Sequence, residues 1–291
     1  MFEDIKIRSF DGAVLNLRRL PLADRPRLIL SHGNGFAING YRAFWRLLAA
    51  DYELVLFDLR NHGLSGPTTI EAHTITAMAE DHASVVAACR DAYGQRETFG
   101  VFHSISAISA TLAGQADSIW DGVVLVDPPL VSLDPQTGLM RSADGRLAQY
   151  ARTRPSRFES LQAYAESIAA GVGRYWADGA AFDMAQAVTR DHPEGGVELV
   201  CPGEYEAQIY EENGRTDSYA ALRAMKNPVA ILGADADAPR ALHPARVSRV
   251  AAEAFGLSYA AVPQASHMLQ LEKPEAAAIA LRDLLRKLQS G

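Results

Sequence analysis

The sequence lacks long apolar runs, has few cysteines and carries no excess of basic residues. No run of about eighteen apolar residues occurs, which argues against a transmembrane helix. The two cysteines, Cys89 and Cys201, lie far apart and outside any CxxC pair, so neither a disulfide framework nor a metal site is predicted. Acidic residues outnumber basic ones, giving a net charge of -7. Nucleic acid and anionic membranes would repel such a surface and are not expected as partners.

The start of the chain also lacks the features of a secretory leader. Glu3 and Asp4 stand where a signal peptide would carry a basic and then an apolar segment. We therefore expect a cytoplasmic protein, either a monomer or a homodimer, that acts on a small molecule.

The composition present, with 48% hydrophobic and 22% charged residues over 291 positions, is typical of a globular protein with a large core. Around the turn pair Asp11-Gly12, two apolar stretches predict an opening β-hairpin. Short, wholly apolar runs then alternate with helix-like segments, which predicts an α/β fold with a mostly parallel sheet and helices on both faces. The predicted strands are residues 27–30, 54–57, 98–102, 123–126, 228–232 and 257–262.

Between residues 130 and 226 the strand-like runs vanish. Helical patterns at residues 161–170, 179–189 and 203–210, joined by glycine and proline turns, replace them. We therefore predict a core formed by residues 1–129 and 227–291 and an inserted helical cap at residues 130–226. Four glutamates in the cap, at positions 204, 206, 211 and 212, are interpreted as a solvated face.

Two residues at opposite ends of the core pattern could carry out nucleophilic catalysis. Ser104 lies where a short strand gives way to a helix, a junction that exposes a hydroxyl beside free helix N–H groups. His267 follows the last predicted strand, and its neutral imidazole could accept the serine proton. A carboxylate must orient that histidine, and Asp235, Asp237 and Asp127, each following a predicted strand, are all candidates.

The order of these motifs resembles the α/β-hydrolase superfamily. The resemblance rests on His32-Gly33, on the stretch from Asp58 to Ser65, on the serine junction, on the aspartate loop and on the late histidine. It covers nearly the whole chain and is strongest outside the cap. Within the cap, residues 195–202 resemble a segment of a bacterial esterase-like subfamily, without indicating a substrate.

The resemblance implies roles for further residues. The backbone N–H groups of Asn34 and Ile105 would form the oxyanion hole, and His32, Gly33 and His103 would contact substrate. Family spacing places the acid at Asp237 or, in the variant with a longer loop, at Asp235, which is our first choice.

Two positions depart from the family pattern. Phe102 stands two residues before the serine, where the family has a small residue, and would crowd a tight turn. Asn61 replaces a glycine, although asparagine tolerates the left-handed conformation that such a turn requires.

The function implied is that of a cofactor-independent serine hydrolase, resembling carboxylesterases, that cleaves an ester or related carbonyl compound through an acyl-enzyme. Two alternatives stay open: hydrolysis of a carbon–carbon bond in a diketone-like substrate, and a non-catalytic binding protein of the same fold. The separation of His267 from Ser104 discriminates the binding protein from the enzymes.

Overall fold

The structure is a computed structural model that describes residues 1–116, 118–137, 139 and 145–290. Its strands are β1 (Glu3–Arg8), β2 (Val14–Leu20), β3 (Arg27–Ser31), β4 (Glu53–Phe57), β5 (Thr98–His103), β6 (Gly122–Val126), β7 (Arg157–Phe158), β8 (Thr189–Asp191), β9 (Val197–Leu199), β10 (Val229–Ala234) and β11 (Ser258–Val262). Its α-helices are α1 (Arg42–Trp45), α2 (Ile75–Tyr93), α3 (Ile105–Ala116), α4 (Arg146–Thr153), α5 (Leu161–Ala170), α6 (Ala180–Val188), α7 (Gly203–Asn213), α8 (Ser218–Ala224), α9 (His243–Phe255), α10 (Leu269–Glu272) and α11 (Pro274–Ser290).

Eight strands form one sheet in the order β1-β2-β4-β3-β5-β6-β10-β11. Strand β2 is antiparallel to both neighbours, and the remaining pairs are parallel. The predicted opening hairpin and the predicted mostly parallel sheet are therefore both present. The apolar runs are continuous because this sheet is covered on both faces.

Strand β4 shows how the two faces are used. Leu54 and Leu56 point into one core, which α11 covers, while Val55 and Phe57 point into the other, which α2, α3 and α9 cover. All four side chains are fully buried. Burying a large aliphatic or aromatic side chain contributes roughly 1.5–3 kcal/mol, so this alternation stabilises the sheet between its two helical layers.

The segment predicted as a helical cap also contains a sheet, so the expectation that strands vanish there is wrong. Strands β7, β9 and β8 form an antiparallel three-stranded sheet. Gly195 and Gly196 turn the chain between β8 and β9 with φ of 95° and 73°, a region that favours glycine. A Cβ on Gly196 would lie 2.3 Å from the carbonyl oxygen of Phe158. Strands of two or three residues are too short to show the period-two pattern.

The carboxyl ends of the parallel strands bring the chemically important residues to one edge of the sheet. The turn 32–35 follows β3, Ser104 follows β5, Asp127 follows β6 and His267 lies beyond β11. Open α/β sheets place their sites at this edge, because parallel strands all deliver their following loops there.

Candidate active site

Ser104 occupies a strained turn between β5 and α3. Its φ of 57° lies in the left-handed region, which is rare for a residue with a side chain. Its N–H donates to the carbonyl of Val126 in the neighbouring strand, and its own carbonyl accepts from the first turn of α3. The strain is therefore held by hydrogen bonds on both sides, and the hydroxyl borders a cavity.

Phe102 fits into this turn because Gly100, two residues earlier, has no side chain. Its ring is fully buried and packs against His82 and Trp120, with ring centroids 4.4 Å and 5.3 Å away. A Cβ on Gly100 would lie only 2.3 Å from the ring. The bulk expected to crowd the turn is thus accommodated in the core on the far side of the strand.

His267 connects the serine to a carboxylate. Its Nε2 lies 3.0 Å from Ser104 Oγ, and its Nδ1 lies 2.7 Å from Asp127 Oδ2. Because a carboxylate can only accept a hydrogen bond, Nδ1 must carry the proton. The lone pair of Nε2 then faces the serine hydroxyl. This is the arrangement in which an imidazole can accept a serine proton.

Two hydrogen bonds to β10 fix Asp127. It is fully buried with φ of 44°, its N–H donates to Leu232, and its Oδ1 accepts from the N–H of Ala234. The neighbouring strand β10 therefore holds the carboxylate in place and leaves Oδ2 for the histidine.

The expectation that Asp235 contacts the histidine is wrong. Its carboxylate accepts instead from the N–H groups of Gln264, at 2.8 Å, and Asp237, at 3.0 Å, and so ties together two loops. The alternative, Asp237, lies on the surface and pairs with Arg249. Because β6 and β10 are adjacent, both strands deliver an aspartate to the same edge, and only the loop conformations decide which one reaches His267.

The residues predicted for the oxyanion hole lie beside the serine. Asn34 and Ile105 both line the cavity with Ser104. Ile105 begins α3, so its N–H has no acceptor within the helix. The turn approaches closely because residue 33 is glycine: a Cβ there would lie 3.2 Å from Ser104 Cβ.

None of the residues predicted to contact substrate lines the cavity within the described ranges. His32 is fully buried, and its ring nitrogens bond the carbonyl of Gly33 and the N–H of Leu59. Burial lowers its pKa to about 4, so it is neutral. Both ring nitrogens are therefore engaged within the protein, and the predicted substrate contact is wrong for this residue.

His103 connects the two halves of the site rather than facing substrate. Its Nε2–H donates to the carbonyl of His267 at 2.9 Å, so its Nδ1 accepts from the hydroxyl of Tyr41 at 2.8 Å. The same hydroxyl accepts from the N–H of Gly33 at 3.3 Å. Burial lowers the pKa of His103 well below its usual range, which keeps the ring neutral in this chain of bonds. The turn 32–35 and the loop that carries His267, here called the histidine loop, are thus held at a fixed distance from each other.

The cavity beside Ser104 has a volume of about 770 Å³. Its wall is mostly apolar and includes Phe36, Phe158, Ile168, Met184, Leu242 and Met268. Charged side chains from the cap also reach it, namely Arg146, Arg154 and Glu206.

The prediction that the cap glutamates form one solvated face is wrong for Glu206, which is buried. Glu204 and Glu211, seven residues apart, share a face of α7 and pair with Arg152. Glu206 lies two positions beyond Glu204, about 200° around the helix, so helical spacing could have separated it from them.

His62, His73 and Cys201 form a buried cluster whose potential ligand atoms lie within 4.8 Å of one another. His62 Nε2 accepts from the N–H of Gly35, and His73 Nδ1 accepts from the amide of Asn61. His73 Nε2 therefore carries a proton. Burial lowers the pKa of His62 to about 3 and of His73 to about 2, and raises that of the Cys201 thiol. The histidines are therefore neutral, and His62 supports the turn at Gly35, while His73 Nε2 is buried without an acceptor among the described residues.

Asn61, which replaces the family's glycine, adopts the left-handed conformation that was expected to be tolerated there, with φ of 63°. Its side-chain oxygen accepts from the N–H of Thr68, which fixes the orientation of the amide toward His73.

A model of the alpha/beta hydrolase family matches residues 28–280. No curated protein matches the chain significantly. Within the described residues, no helix has the length and apolar character needed to span a membrane.

Solved structures with the same fold include three hydrolases. E-2-(acetamidomethylene)succinate hydrolase has a TM-score of 0.81 at 19% identity, over 98% of this chain and 100% of the other. The thioesterase domain from the curacin biosynthetic pathway has a TM-score of 0.74 at 17% identity, over 97% and 99%. A thermophilic esterase from Thermogutta terrifontis has a TM-score of 0.67 at 20% identity, over 98% and 99%. At such identities the likeness establishes the fold alone.

Proposed function

Because the chain belongs to the alpha/beta hydrolase family, we propose that it is a serine hydrolase that cleaves an ester or related carbonyl compound through an acyl-enzyme. The observation that carries the proposal is the continuous contact from Ser104 through His267 to Asp127, with distances of 3.0 Å and 2.7 Å. The first distance is within reach for proton transfer, which favours an enzyme over a binding protein.

In the first half of the reaction, Ser104 Oγ attacks the substrate carbonyl while His267 Nε2 takes the hydroxyl proton. The carbonyl oxygen becomes an oxyanion, which the N–H groups of Asn34 and Ile105 stabilise. Donors of this kind are worth about 3–4 kcal/mol each in the transition state. Collapse of the intermediate breaks the bond to the leaving group, which receives the proton from the imidazolium.

In the second half, water attacks the acyl-enzyme and His267 acts again as base and then as acid. The bond between the acyl carbon and Ser104 Oγ breaks, and the serine recovers its proton. Throughout, the Asp127 carboxylate stays ionised, holds the Nδ1–H tautomer and stabilises the imidazolium.

The similar solved structures support a carbonyl substrate, since they are named a succinate derivative hydrolase, a thioesterase and an esterase. Two of these names denote cleavage of an ester or a thioester. The residues around Ser104 would support attack on esters and on thioesters equally.

A fluorophosphonate probe tests the nucleophile. We expect the wild-type protein to be labelled at Ser104 and Ser104→Ala to lose the label. Ser106→Ala is a matched control, because that hydroxyl is buried and donates to the carbonyl of His103. Labelling that persists in Ser104→Ala would contradict the proposal. Labelling without turnover of short-chain 4-nitrophenyl esters would favour carbon–carbon bond hydrolysis instead.

A further inference from the structure

The cap places an ion pair in the wall of the active-site cavity. The Arg154 guanidinium donates through Nη2 to the carboxylate of Glu206, and the Tyr210 hydroxyl lies 3.2 Å from the other oxygen of that carboxylate. Arg154 and Glu206 line the same cavity as Ser104. The proposed reaction assigns no role to this pair.

The pair lies next to the turn that carries the oxyanion donor. A Cβ added to Gly35 would lie 2.6–2.7 Å from the Glu206 carboxyl group, and the side-chain amide of Asn34 donates to the carbonyl of Glu206 at 2.8 Å. Arg154 is thereby anchored close to the reacting end of the cavity.

The guanidinium is incompletely satisfied by the protein. It has five N–H donors, of which Nη2 donates to Glu206, and 14% of the side chain stays exposed in the cavity wall. A further anionic oxygen acceptor would fit this guanidinium, because its planar fork can serve two carboxylates at once.

The apolar part of the cavity wall indicates which kind of ligand would fit beside the guanidinium. Phe158, Ile168, Met184 and Val188 surround the cavity with apolar surface that suits a hydrocarbon spacer. Burial raises the pKa of the Glu206 carboxyl, with Arg154 opposing that shift. Glu206 engages Nη2 of the guanidinium and so competes there with an incoming carboxylate.

We propose that Arg154 determines specificity for substrates that carry a carboxylate, separated from the reacting carbonyl by an apolar spacer. This inference rests on the proposed serine hydrolase function and names its substrate class. Arg146 also lines the cavity and has interactions of its own, and the proposal does not depend on it.

Matched pairs of esters test the proposal. One series consists of 4-nitrophenyl monoesters of dicarboxylic acids from succinic to suberic acid, each compared with the neutral ester of equal chain length. A second series, acetate esters of hydroxy acids against those of simple alcohols, places the carboxylate on the leaving group. Reaction of each ester with Ser104→Ala supplies the background rate.

We expect kcat/KM to favour the anionic member of at least one pair by about ten-fold or more, as for a hydrogen bond to a charged group. Arg154→Gln should remove that preference, measured as the ratio of kcat/KM for each anionic ester to that for its neutral partner. Arg152→Gln is the matched control, because Arg152 lies two positions earlier in the chain and pairs with Glu204 and Glu211 outside the cavity. Glu206→Gln should increase the preference by removing the competing carboxylate.

A preference below about fivefold in every pair, which an exposed ion pair could supply, would overturn the proposal. So would a preference that survives in Arg154→Gln. If Arg154→Gln does not fold, Glu206→Gln decides instead, because a preference that this variant leaves unchanged would also overturn the proposal. Turnover of neutral esters that depends on Ser104 would then still support the serine hydrolase function, so the two failures are distinguishable.

Discussion

At the scale of single residues, the site depends on backbone strain at two positions. Ser104 and Asp127 both have positive φ, and each follows a strand of the parallel sheet. The two strands are adjacent, and the N–H of Ser104 donates to the residue that precedes Asp127. The proposed nucleophile and the proposed acid are therefore positioned by the same pair of strands, and His267 contacts both from a loop.

The assignment of Asp127 as the orienting acid leads to a sharp prediction. In Asp127→Asn, the amide oxygen can still accept from the N–H of Ala234, but the amide nitrogen would face His267 Nδ1. The donor there would force the proton onto Nε2 and remove the base, so we expect kcat to fall by about 10³ to 10⁴. Steady-state hydrolysis of a 4-nitrophenyl ester measures the loss.

Asp235→Asn is the matched control for this change. Asp235 only accepts from backbone N–H groups of loops, so its loss should leave kcat within about threefold and lower stability by about 1 kcal/mol. If Asp235→Asn lost as much activity as Asp127→Asn, the assignment of Asp127 would fail.

At the scale of elements, β5 has a large residue at position 102, where the family has a small one, and a small residue at position 100. Phe102 and Gly100 lie on the same face of the strand, and the ring occupies the space that a residue-100 side chain would need. Phe102 is thus compatible with the turn at Ser104 because the residue two positions before it, Gly100, leaves room for its ring.

We therefore expect Gly100→Ala to destabilise the protein by about 1–3 kcal/mol through overpacking. In a Phe102→Leu background, which frees that space, the same substitution should be neutral or slightly stabilising, because alanine orders a strand more readily than glycine. Urea denaturation of the four proteins in a double-mutant cycle gives the coupling. If Gly100→Ala lowered the free energy of unfolding equally in both backgrounds, the Phe102 ring would not be what requires glycine at position 100.

The same scale shows what the sequence could predict. Helix α5 was predicted with its observed bounds, because Ser160 caps its start and a glycine follows its end. Helices α4 and α8 and the small sheet of the cap were missed. Helix α8 has only seven residues, and the three strands have at most three, so their periodicity is too brief to recognise.

The sequence could predict only those residues of the candidate site that a local sequence pattern identifies. The turn at Ser104 and the loop of His267 each follow a recognisable strand, and the structure brings both together. The acid and the cavity wall depend on which loops meet across the sheet edge. Asp127, Arg154 and Glu206 come from three separate parts of the chain, and no local pattern indicates that Arg154 and Glu206 pair.

At the scale of the whole molecule, the core holds several buried histidines in neutral form. Burial lowers the pKa to about 4 for His32, about 3 for His62 and His82, and about 2 for His73, and it also lowers that of His103. These side chains support the turn 32–35, the histidine loop and the packing around Phe102. We therefore expect acid to destabilise the active site and the fold together.

The sign of that sensitivity follows from proton linkage. Below pH 6.5 the unfolded chain binds protons at these histidines while the folded protein does not, so acid favours unfolding. Each contributes about 1.4 kcal/mol per pH unit until pH falls to its folded pKa. Asp58 opposes the trend, because burial raises its pKa to about 6 and the folded protein then binds its proton first as pH falls. Burial raises the pKa of Glu206 and Glu212 in the same sense, but these three carboxyl groups do not offset five imidazoles.

We therefore expect the free energy of unfolding, measured by urea denaturation, to fall by several kcal/mol between about pH 6.5 and pH 5. His82→Phe isolates one member of the set, since His82 packs among Phe57, Phe102 and Trp120, where a phenyl ring fits. The loss of its bond to Ser109 shifts stability at every pH, but the dependence on pH should become shallower by about 1.4 kcal/mol per unit. An unchanged slope would mean that His82 is not held neutral in the folded protein.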